Sequence, residues 1–588
     1  MSRGVIRWIG GPVLKARSPD PFRVHEAVTV GPRRLLGEVV RLEGDELTVQ
    51  VFEETTGLRP GDAVEGSGTP LAARLGPHLL GGVFDGLLRS LEDNQADFLQ
   101  TGGWPRRPRR YPFIPLVQEG QPLSGGQSFG EATTDPHAVR PHLCLAPPGV
   151  SGEVESIAEA GEYDDAEPLC RLRDRQGRIH DLAMSHFWPV RTPRPAAERL
   201  PIGPPMITGQ RILDCLFPIA RGGKTAVPGG FGTGKTVLLE TVAKWCNADV
   251  IIYVGCGERG NEMSGVLDEF PHLEDPRTGR RLMERTVVIA NTSNMPVAAR
   301  EASIYTGVTV AEYFRDQGLH VALMADSTSR WAEALREVSG RLGELPGEGG
   351  YPAYLSTRLA EFYERAALVR TLGGGEGSVT LIGAVSPPSS DFSEPVTIHT
   401  KRYVRNFWAL DKKRAQARFF PAIDPLLSYS EDAADLAPWW HRQGNTRWAE
   451  QRKRFLTLLE EQSKIERMAR ILGQDALPPK QRLTLLAASL VNEAFLRQSA
   501  FAPKDRYATP ERQNRMMTLL ERFFSLSEGA LRAGVEVEAM AALPALRRLM
   551  RMGEEIGEEE LPLFDALERE LEEAFHALAP MGTLEEPT

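Results

Sequence analysis

The chain has 588 residues, of which 41% are hydrophobic and 25% charged, and its net charge is −10. One hydrophobic core cannot hold so long a chain, so we expect three or four domains. The acidic balance argues against a broad nucleic-acid surface, which needs clustered Lys and Arg. There is no apolar run of the roughly 18 residues that a membrane helix needs, and residues 1–4 do not begin a signal peptide. We therefore expect a cytoplasmic protein.

The five cysteines argue against both a disulfide framework and a zinc site. They are Cys144, Cys170, Cys215, Cys246 and Cys256, an odd number without CxxC spacing. Cys246 and Cys256 flank an apolar run, which predicts packed thiols.

Residues 1–75 have the pattern of a small β-barrel. The runs 36–42 and 47–52 are short and β-rich, and the Glu-Gly-Asp-Glu segment 43–46 joins them as a hairpin turn. Several such runs in so short a span favour a barrel that serves as a docking or capping module.

Residues 76–200 predict an inserted β-rich module with its connections. The segment 102–112 is rich in Pro and contains four arginines, which predicts a loop. A solvated surface loop is favoured there over contact with an anionic partner. From residue 147 to residue 190, turn residues punctuate further β-rich runs.

Residues 201–430 change in pattern and predict a doubly wound α/β domain. Apolar runs suited to buried parallel strands alternate with helical spacing; they are 250–254, 286–290, 320–325 and 378–383. Residues 431–588 predict a helical C-terminal domain, because apolar residues recur every three or four positions. The clearest such segments are 448–472, 479–495, 511–533 and 559–578.

Residues 229–236 read GGFGTGKT, a complete GxxxxGK[ST] phosphate-binding loop. Its glycines let backbone N–H groups surround a phosphate at a helix N-terminus. Lys235 is predicted to bridge the β- and γ-phosphates, and the Thr236 hydroxyl to bind Mg²⁺. The predicted nucleotide-binding residues here are Gly229, Gly230, Phe231, Gly232, Thr233, Gly234, Lys235, Thr236 and Val237.

Two acidic residues follow apolar runs of the same α/β domain. Asp326 ends the run 320–325, as in a Walker B strand, and is predicted to face Mg²⁺ or one of its waters. Glu258 follows the run 250–254 and is predicted to orient the attacking water, with Arg259 neutralising charge near the γ-phosphate. From spacing alone, a surface ion pair between Glu258 and Arg259 remains an equal alternative.

Three longer runs closely resemble the catalytic A subunit of rotary V-type and A-type ATPases and ATP synthases. They are GCGERGNEM at 255–263, ANTSNMPVAAREAS at 290–303 and ADSTSRWAEALRE at 325–337. The resemblance extends over nearly the whole chain and is strongest at 202–425. It implies an N-terminal β-barrel, an inserted β-module, a RecA-like core and a helical C-terminal domain.

The resemblance also implies roles for single residues. Glu258 is similar to the glutamate that activates water, and Lys235, Thr236 and Arg259 are similar to the phosphate and Mg²⁺ contacts. Phe420 resembles the aromatic that stacks on adenine, and Phe501 resembles a second wall of that pocket. Without the resemblance, both phenylalanines would be assigned to the core.

For the assembly, the resemblance implies ATP or ADP with Mg²⁺ at a site between subunits. A non-catalytic B subunit, alternating with this chain in a hexamer, would supply a trans arginine worth roughly 10³–10⁵ in rate. Central and peripheral stalk subunits would be further partners. The membrane would be contacted only through an ion-translocating sector that moves H⁺ or Na⁺, and the chain would be cytoplasmic and peripheral.

The sequence departs from the family pattern in three places, and two other functions remain open. Ser389 and Ser390 replace two glycines, and residues 102–145 and the helices after 502 fit less well. One alternative is a non-catalytic regulatory subunit, which Glu258 argues against. The other is a RecA-like hexameric helicase or translocase, which the acidic balance disfavours.

Overall fold

A computed structural model of the chain describes residues 2–92, 107–134, 140–275, 278–473 and 476–578. The chain divides into two compact units. Unit 1 consists of Met1–Pro201, Arg221–Lys224 and Ala248–Val404, and unit 2 of Ile202–Ala220, Thr225–Asn247 and Arg405–Thr588. Within the described ranges, no helix is both long and apolar enough to cross a membrane.

Unit 1 begins with a closed six-stranded barrel, which confirms the predicted N-terminal β-barrel. Alternate residues along the strands point inward, so that Ile6, Val28 and Val49 are buried in one apolar core. The predicted hairpin pairs Glu43 with Glu46 across its turn. The barrel strands are Arg3–Gly10, Val13–Arg17, Glu26–Val30, Leu35–Glu43, Glu46–Val51 and Ala63–Pro70.

Two four-stranded sheets follow in unit 1 and confirm the inserted β-rich module. Phe113, Phe129 and Leu172 are buried in their shared core. One sheet contains Pro122–Leu123, Gly152–Ile157, Cys170–Arg173 and Ile179–Leu182, and the other contains Arg110–Pro115, Ser128–Ala132, His142–Leu145 and Gly161–Asp164. Ala72–Leu75 pairs separately with His186–Pro189.

The loop predicted at 102–112 is wrong at its C-terminal end. Arg110 already belongs to the strand Arg110–Pro115, which pairs with Gly161–Asp164 and with Ser128–Ala132. Its side chains alternate, so that Phe113 is buried in the core with Tyr111 packed beside it, while Arg110 and Pro112 are exposed. Residues 102–106 lie outside the described residues.

The rest of unit 1 contains a largely parallel sheet and its helices. Its strands lie in the order Glu376–Val385, His320–Asp326, Val250–Glu258, Thr286–Thr292 and Val83–Phe84, and each neighbouring pair is parallel. Ala367–Arg370 adds an antiparallel strand and pairs in turn with Glu198–Arg199. Because the strand order differs from the chain order, crossover helices must connect the strands, as the α/β prediction requires. The helices of unit 1 are Gly260–Glu269, Val297–Asp316, Thr328–Leu342, Leu355–Tyr363 and Pro395–Lys401.

Unit 2 contains a short parallel pair and most of the helices. Thr225 and Ala226, in the strand Lys224–Pro228, pair with Asn406–Phe407, which pairs with Tyr429–Ser430. The α-helices of the unit are Lys235–Trp245, Lys412–Gln416, Ala433–Arg442, Trp448–Leu472, Pro479–Leu490, Pro510–Arg532, Val537–Ala541, Pro544–Glu555 and Pro562–Leu578, and the π-helical segments are Ile212–Leu216 and Val491–Leu496. The four predicted C-terminal helices are present, and the helical C-terminal region is confirmed.

All five cysteines are buried thiols outside any disulfide bond, and the packing predicted for Cys246 and Cys256 is present. Burial raises the pKa of Cys256 to about 12 and that of Cys170 to about 11. Both thiols are therefore protonated and unreactive at neutral pH.

Candidate functional site

The phosphate-binding loop lies in unit 2 between the strand Lys224–Pro228 and the helix Lys235–Trp245. Gly232 and Gly234 have φ of 77° and 80°, a left-handed conformation that favours glycine. Thr233 is buried and its hydroxyl donates to the Gly230 carbonyl at 2.8 Å, which closes the loop. The first N–H groups of the helix therefore face the concave side of a tight loop, the arrangement that binds phosphate.

Close packing beneath the loop explains its first glycine. A Cβ added at Gly229 would lie 2.6 Å from Thr233 Oγ1 and 2.9 Å from Leu410 Cδ1. The Leu410 N–H donates to the Pro228 carbonyl at 2.9 Å, so this backbone hydrogen bond keeps Leu410 close to Gly229. By contrast, Phe231 at the loop tip exposes 83% of its surface.

Val237, Phe420 and Phe501 line one cavity of about 740 Å³ in unit 2. Val237 belongs to the first turn of the helix that follows the phosphate-binding loop. The cavity therefore adjoins that helix N-terminus, and Phe420 and Phe501 are suited to stack on a planar ring. Phe501 exposes 96% of its surface, which excludes the core role that its sequence context alone suggests.

Arginines around this cavity are absent from the sequence-based predictions. Arg414 lies 4.3 Å and Arg497 5.8 Å from the ring centroid of Phe419, and Arg418 also lines the cavity. Arg414 and Arg418 are close in sequence to the Phe-Phe pair at 419–420, and this position could have indicated them. Arg497 is distant in sequence from that pair, so no local pattern indicates it.

Glu258 and Asp326 end adjacent parallel strands of unit 1. Gly255 is opposite Asp326 in the register, so both acidic residues lie at the carboxyl edge of the sheet. Asp326 is fully buried, and its Oδ2 lies 3.5 Å from the Tyr253 hydroxyl. The strand extends to Glu258, beyond the predicted run 250–254, after a register shift between Cys256 and Glu258. Such a bulge re-aims side chains at a strand end.

Two arginines pack against Gly257, the residue that precedes Glu258. Gly257, at φ 74°, is packed so closely that a Cβ there would lie 2.8 Å from Arg300 Cδ and 2.9 Å from Arg330 Cβ. A hydrogen bond to Glu333 is the largest cause that raises the pKa of Arg330, and Glu258 adds to the rise. Arg259 is exposed and precedes the helix Gly260–Glu269. The sequence pattern predicted a role for Arg259 but not for Arg300 and Arg330, although both lie in the runs that resemble the family.

The predicted site residues therefore form two sets. Unit 2 holds the phosphate-binding loop, with Lys235 and Thr236, and the cavity with both phenylalanines. Unit 1 holds Glu258, Arg259 and Asp326. Among the residues that the structure describes, no cluster of three or more His, Cys, Asp or Glu side chains could hold a metal ion alone.

Family models match four consecutive parts of the chain. Residues 8–68 match the β-barrel domain of the ATP synthase alpha/beta family, and 106–191 match the barrel-sandwich domain of its subunits. Residues 209–430 match the nucleotide-binding domain of that family. Residues 437–541 match the C-terminal domain of V and A type ATP synthases.

Curated relatives are similar over nearly their whole length. The V-type ATP synthase alpha chain of Halothermothrix orenii is 47% identical, with 98% of each chain covered. The V-type ATP synthase alpha chain of Thermoanaerobacter pseudethanolicus is also 47% identical, with 99% of each chain covered. The A subunit of the A-type ATP synthase of Thermococcus kodakarensis is 48% identical over 97% of this chain and 99% of its own.

A solved structure supports the fold. The assembled ATPase EscN of the enteropathogenic E. coli type III secretion system matches with a TM-score of 0.62 and 24% identity, covering 88% of this chain and 99% of its own. The resemblance seen in the sequence is thus confirmed by relatives of nearly equal length. The chain belongs to the family of A (alpha) subunits of V-type and A-type ATP synthases.

Proposed function

We propose that this chain is the catalytic nucleotide-binding subunit of a rotary V/A-type ATPase. It hydrolyses or synthesises ATP and couples that reaction to stalk rotation and to H⁺ or Na⁺ transport across a membrane. The observation that carries the proposal is Glu258 at the carboxyl end of a central strand, beside the strand that ends in Asp326. A subunit that only binds nucleotide has no need of a carboxylate at that position.

In the proposed reaction, MgATP is the substrate. The phosphate-binding loop and Lys235 hold the β- and γ-phosphates, while Phe420 and Phe501 stack on the adenine. Glu258 orients the water that attacks the γ-phosphorus, and Arg259 lowers the cost of the charge that develops there. Nucleotide binding is supported by the matched domain at 209–430.

The Thr236 hydroxyl and the Asp326 carboxylate are assigned to Mg²⁺. Both offer hard oxygen ligands, which Mg²⁺ prefers. The described residues contain no acidic or His/Cys cluster that would hold a metal by itself. This fits an ion that arrives with the nucleotide, because substrate phosphates and water supply most ligands of such a Mg²⁺.

The proposed assembly is a hexamer in which this chain alternates with a non-catalytic B subunit. The B subunit supplies an arginine to each site, and central and peripheral stalk subunits connect the hexamer to an ion-translocating sector. The chain itself is cytoplasmic and meets the membrane only through that sector. These partners rest on family membership, since the curated relatives are subunits of V-type and A-type ATP synthases.

Co-expression with the cognate B subunit tests the proposal. We expect a stable alternating hexamer with Mg²⁺-dependent ATPase activity, which Lys235→Ala abolishes while the assembly mass stays unchanged. A chain that remains monomeric and inactive in every pairing would overturn the assignment. ATPase activity stimulated by RNA or DNA would favour the helicase alternative instead.

A further inference from the structure

Arg211 is a fully buried arginine that holds the backbone leading to Phe501. Its Nε donates to the Phe495 carbonyl at 2.7 Å, and its Nη2 donates to the Arg497 carbonyl at 2.7 Å. Its Nη1 forms an ion pair with Asp505. All three acceptors lie in residues 495–505, the segment that carries Phe501, and all belong to unit 2.

Asp505 closes the same segment from its other end. Its second carboxylate oxygen accepts from the Ser499 N–H at 2.7 Å, and the Ser499 hydroxyl accepts from the Ala502 N–H at 3.1 Å. Phe501 lies between these contacts and is 96% exposed. Packing of its ring therefore does not fix its position, and the hydrogen-bonded backbone must do so.

Gln498 links this segment to the second aromatic wall. Its backbone N–H donates to the Phe420 carbonyl at 2.9 Å, and its side chain accepts from the Arg211 N–H at 2.9 Å. The same side chain donates to the Gly209 carbonyl at 2.9 Å. Gln498 is almost fully buried, so these contacts are shielded from water. Both walls of the cavity are thus connected to Arg211.

A C-terminal helix lies directly against the ion pair. Gly553 belongs to the helix Pro544–Glu555, and a Cβ there would lie 2.8 Å from Asp505 Oδ1 and 3.2 Å from Arg211 Nη2. The Gly553 carbonyl accepts from the buried Arg512 at 2.6 Å, and Arg512 also donates to the Tyr507 carbonyl at 3.1 Å. The helix backbone is therefore fixed against the segment that carries Phe501.

We propose that Arg211, Gln498 and Asp505 are positioning residues for base recognition. They hold Phe420 and Phe501 at the separation that accepts adenine, and the contact at Gly553 makes this separation depend on the position of the C-terminal helix Pro544–Glu555. A shift of that helix therefore changes the affinity for the base more than it changes the rate of the reaction at the phosphates. This inference rests on the proposed function, in which the cavity binds the base of ATP.

Arg211→Lys and Asp505→Asn test the inference in the complex with the B subunit. Lysine keeps the charge of Arg211 but cannot reach its three acceptors together, and asparagine keeps the shape of Asp505 without its charge. We expect KM for ATP to rise on the order of tenfold, with kcat changed less than about twofold, because base binding loosens while the catalytic residues stay intact. The preference for ATP over GTP, measured as the ratio of their kcat/KM values, should fall in the same variants.

Arg194→Lys is the matched control. Arg194 is also a buried arginine paired with a carboxylate, Asp316, but it lies in unit 1 and contacts neither phenylalanine. We expect it to lower the melting temperature without raising KM. Gly553→Ala should raise KM without removing any hydrogen-bonding group, which separates the helix contact from the ion pair.

Equilibrium binding of ATP and of GTP to the full chain gives a readout that does not depend on turnover. Unchanged affinities and KM in both Arg211→Lys and Asp505→Asn would overturn the inference, as would a loss of stability alone that equals that of Arg194→Lys. If the Arg211→Lys chain does not assemble with the B subunit, the isosteric Asp505→Asn variant tests the inference by itself. Should Lys235→Ala retain full turnover, the proposed function itself fails, which is a distinct result.

Discussion

The acidic residues of unit 1 and the aromatic residues of unit 2 are held in contrasting ways. Asp326 is fully buried at the end of a strand that has a parallel neighbour on each side. Phe501 and Phe231 are 96% and 83% exposed and stand on loops. Groups that orient water and metal need side chains fixed by packing, whereas an exposed ring on a held backbone leaves room for a base to enter. We therefore expect substitutions in unit 1 to reduce kcat and substitutions in the cavity of unit 2 to raise KM.

Glu258→Gln should give the largest effect. The amide keeps the size of the side chain but cannot orient or deprotonate water as a carboxylate does, so kcat should fall about 10²–10⁴-fold. Nucleotide affinity should stay within about threefold, because the phosphate-binding loop is untouched. ATPase assays of the assembled complex and equilibrium ATP binding measure the two quantities.

Glu269→Gln is the matched control, since Glu269 is exposed at the end of the helix Gly260–Glu269 and should have no effect on kcat. Full turnover in Glu258→Gln would contradict a catalytic role and would support the regulatory alternative.

Arg191 connects the N-terminal barrel to a helix of the α/β part of unit 1, and the second prediction concerns this contact. Arg191 donates to both oxygens of buried Glu38 in the barrel and to both oxygens of Glu301 in the helix Val297–Asp316. Burial alone would raise the pKa of Glu38, but the charge of Arg191 and the hydrogen bonds from His25 and Arg191 outweigh it and hold that pKa below its usual value. At neutral pH, Glu38→Gln should lower the free energy of unfolding by about 3 kcal/mol, because it breaks a buried ion pair.

The pH dependence of this effect has a definite sign. A lowered carboxyl pKa contributes stability that is fully present above the unfolded value and is lost as pH falls through the folded value. The difference between wild type and Glu38→Gln should therefore be present at neutral pH and shrink as the solution is acidified through the carboxyl range toward the lowered pKa of Glu38. Calorimetric melting of the full chain as a function of pH measures this, and a difference that grows on acidification would contradict the assignment.

The third prediction concerns the aromatic walls of unit 2. Phe420→Ala and Phe501→Ala should each raise KM for ATP roughly tenfold, because stacking on a base is worth about 1–3 kcal/mol, while kcat changes little. Phe501→Ala should not lower the melting temperature, since its ring is 96% exposed. Phe187→Ala is the control, a 67% exposed phenylalanine of unit 1 that should leave both KM and kcat unchanged. Equal losses of kcat in both cavity variants would contradict the division between the two units.

The distance in sequence between the residues of a feature decided whether it could be predicted. The phosphate-binding loop is local, because its glycines, lysine and threonine are consecutive, so the motif alone predicts it. Asp326 and Glu258 were predictable because each ends an apolar strand and parallel strands share one carboxyl edge. Arg300 and Arg330, which pack beside Gly257, were not predictable, because contacts between residues on different crossover helices leave no pattern in the sequence.

The proposed base cavity is the non-local case. Val237, Phe420 and Phe501 are separated by 183 and 81 positions in the numbering and meet only through folding. Family resemblance supplied the two phenylalanines, and without it both would have been assigned to the core. Arg211 had no sequence signal, because its role depends on backbone carbonyls nearly 300 positions away. The strand at Arg110–Pro115 was missed because Pro and Arg outweighed its alternation.

The smallest expected effect lies in the loop after the strand Glu376–Val385 of unit 1. Ser389 and Ser390 have φ of 55° and 59°, a left-handed conformation that is costly for residues with a Cβ. Ser389→Gly and Ser390→Gly remove that cost but also increase the entropy of the unfolded chain. The net gain should be about 0.5 kcal/mol each, measured as a higher melting temperature of the full chain. Ser390→Ala keeps the Cβ and should give no gain, so equal stabilisation by alanine and glycine would show that the hydroxyl, and not the backbone conformation, is the source of the strain.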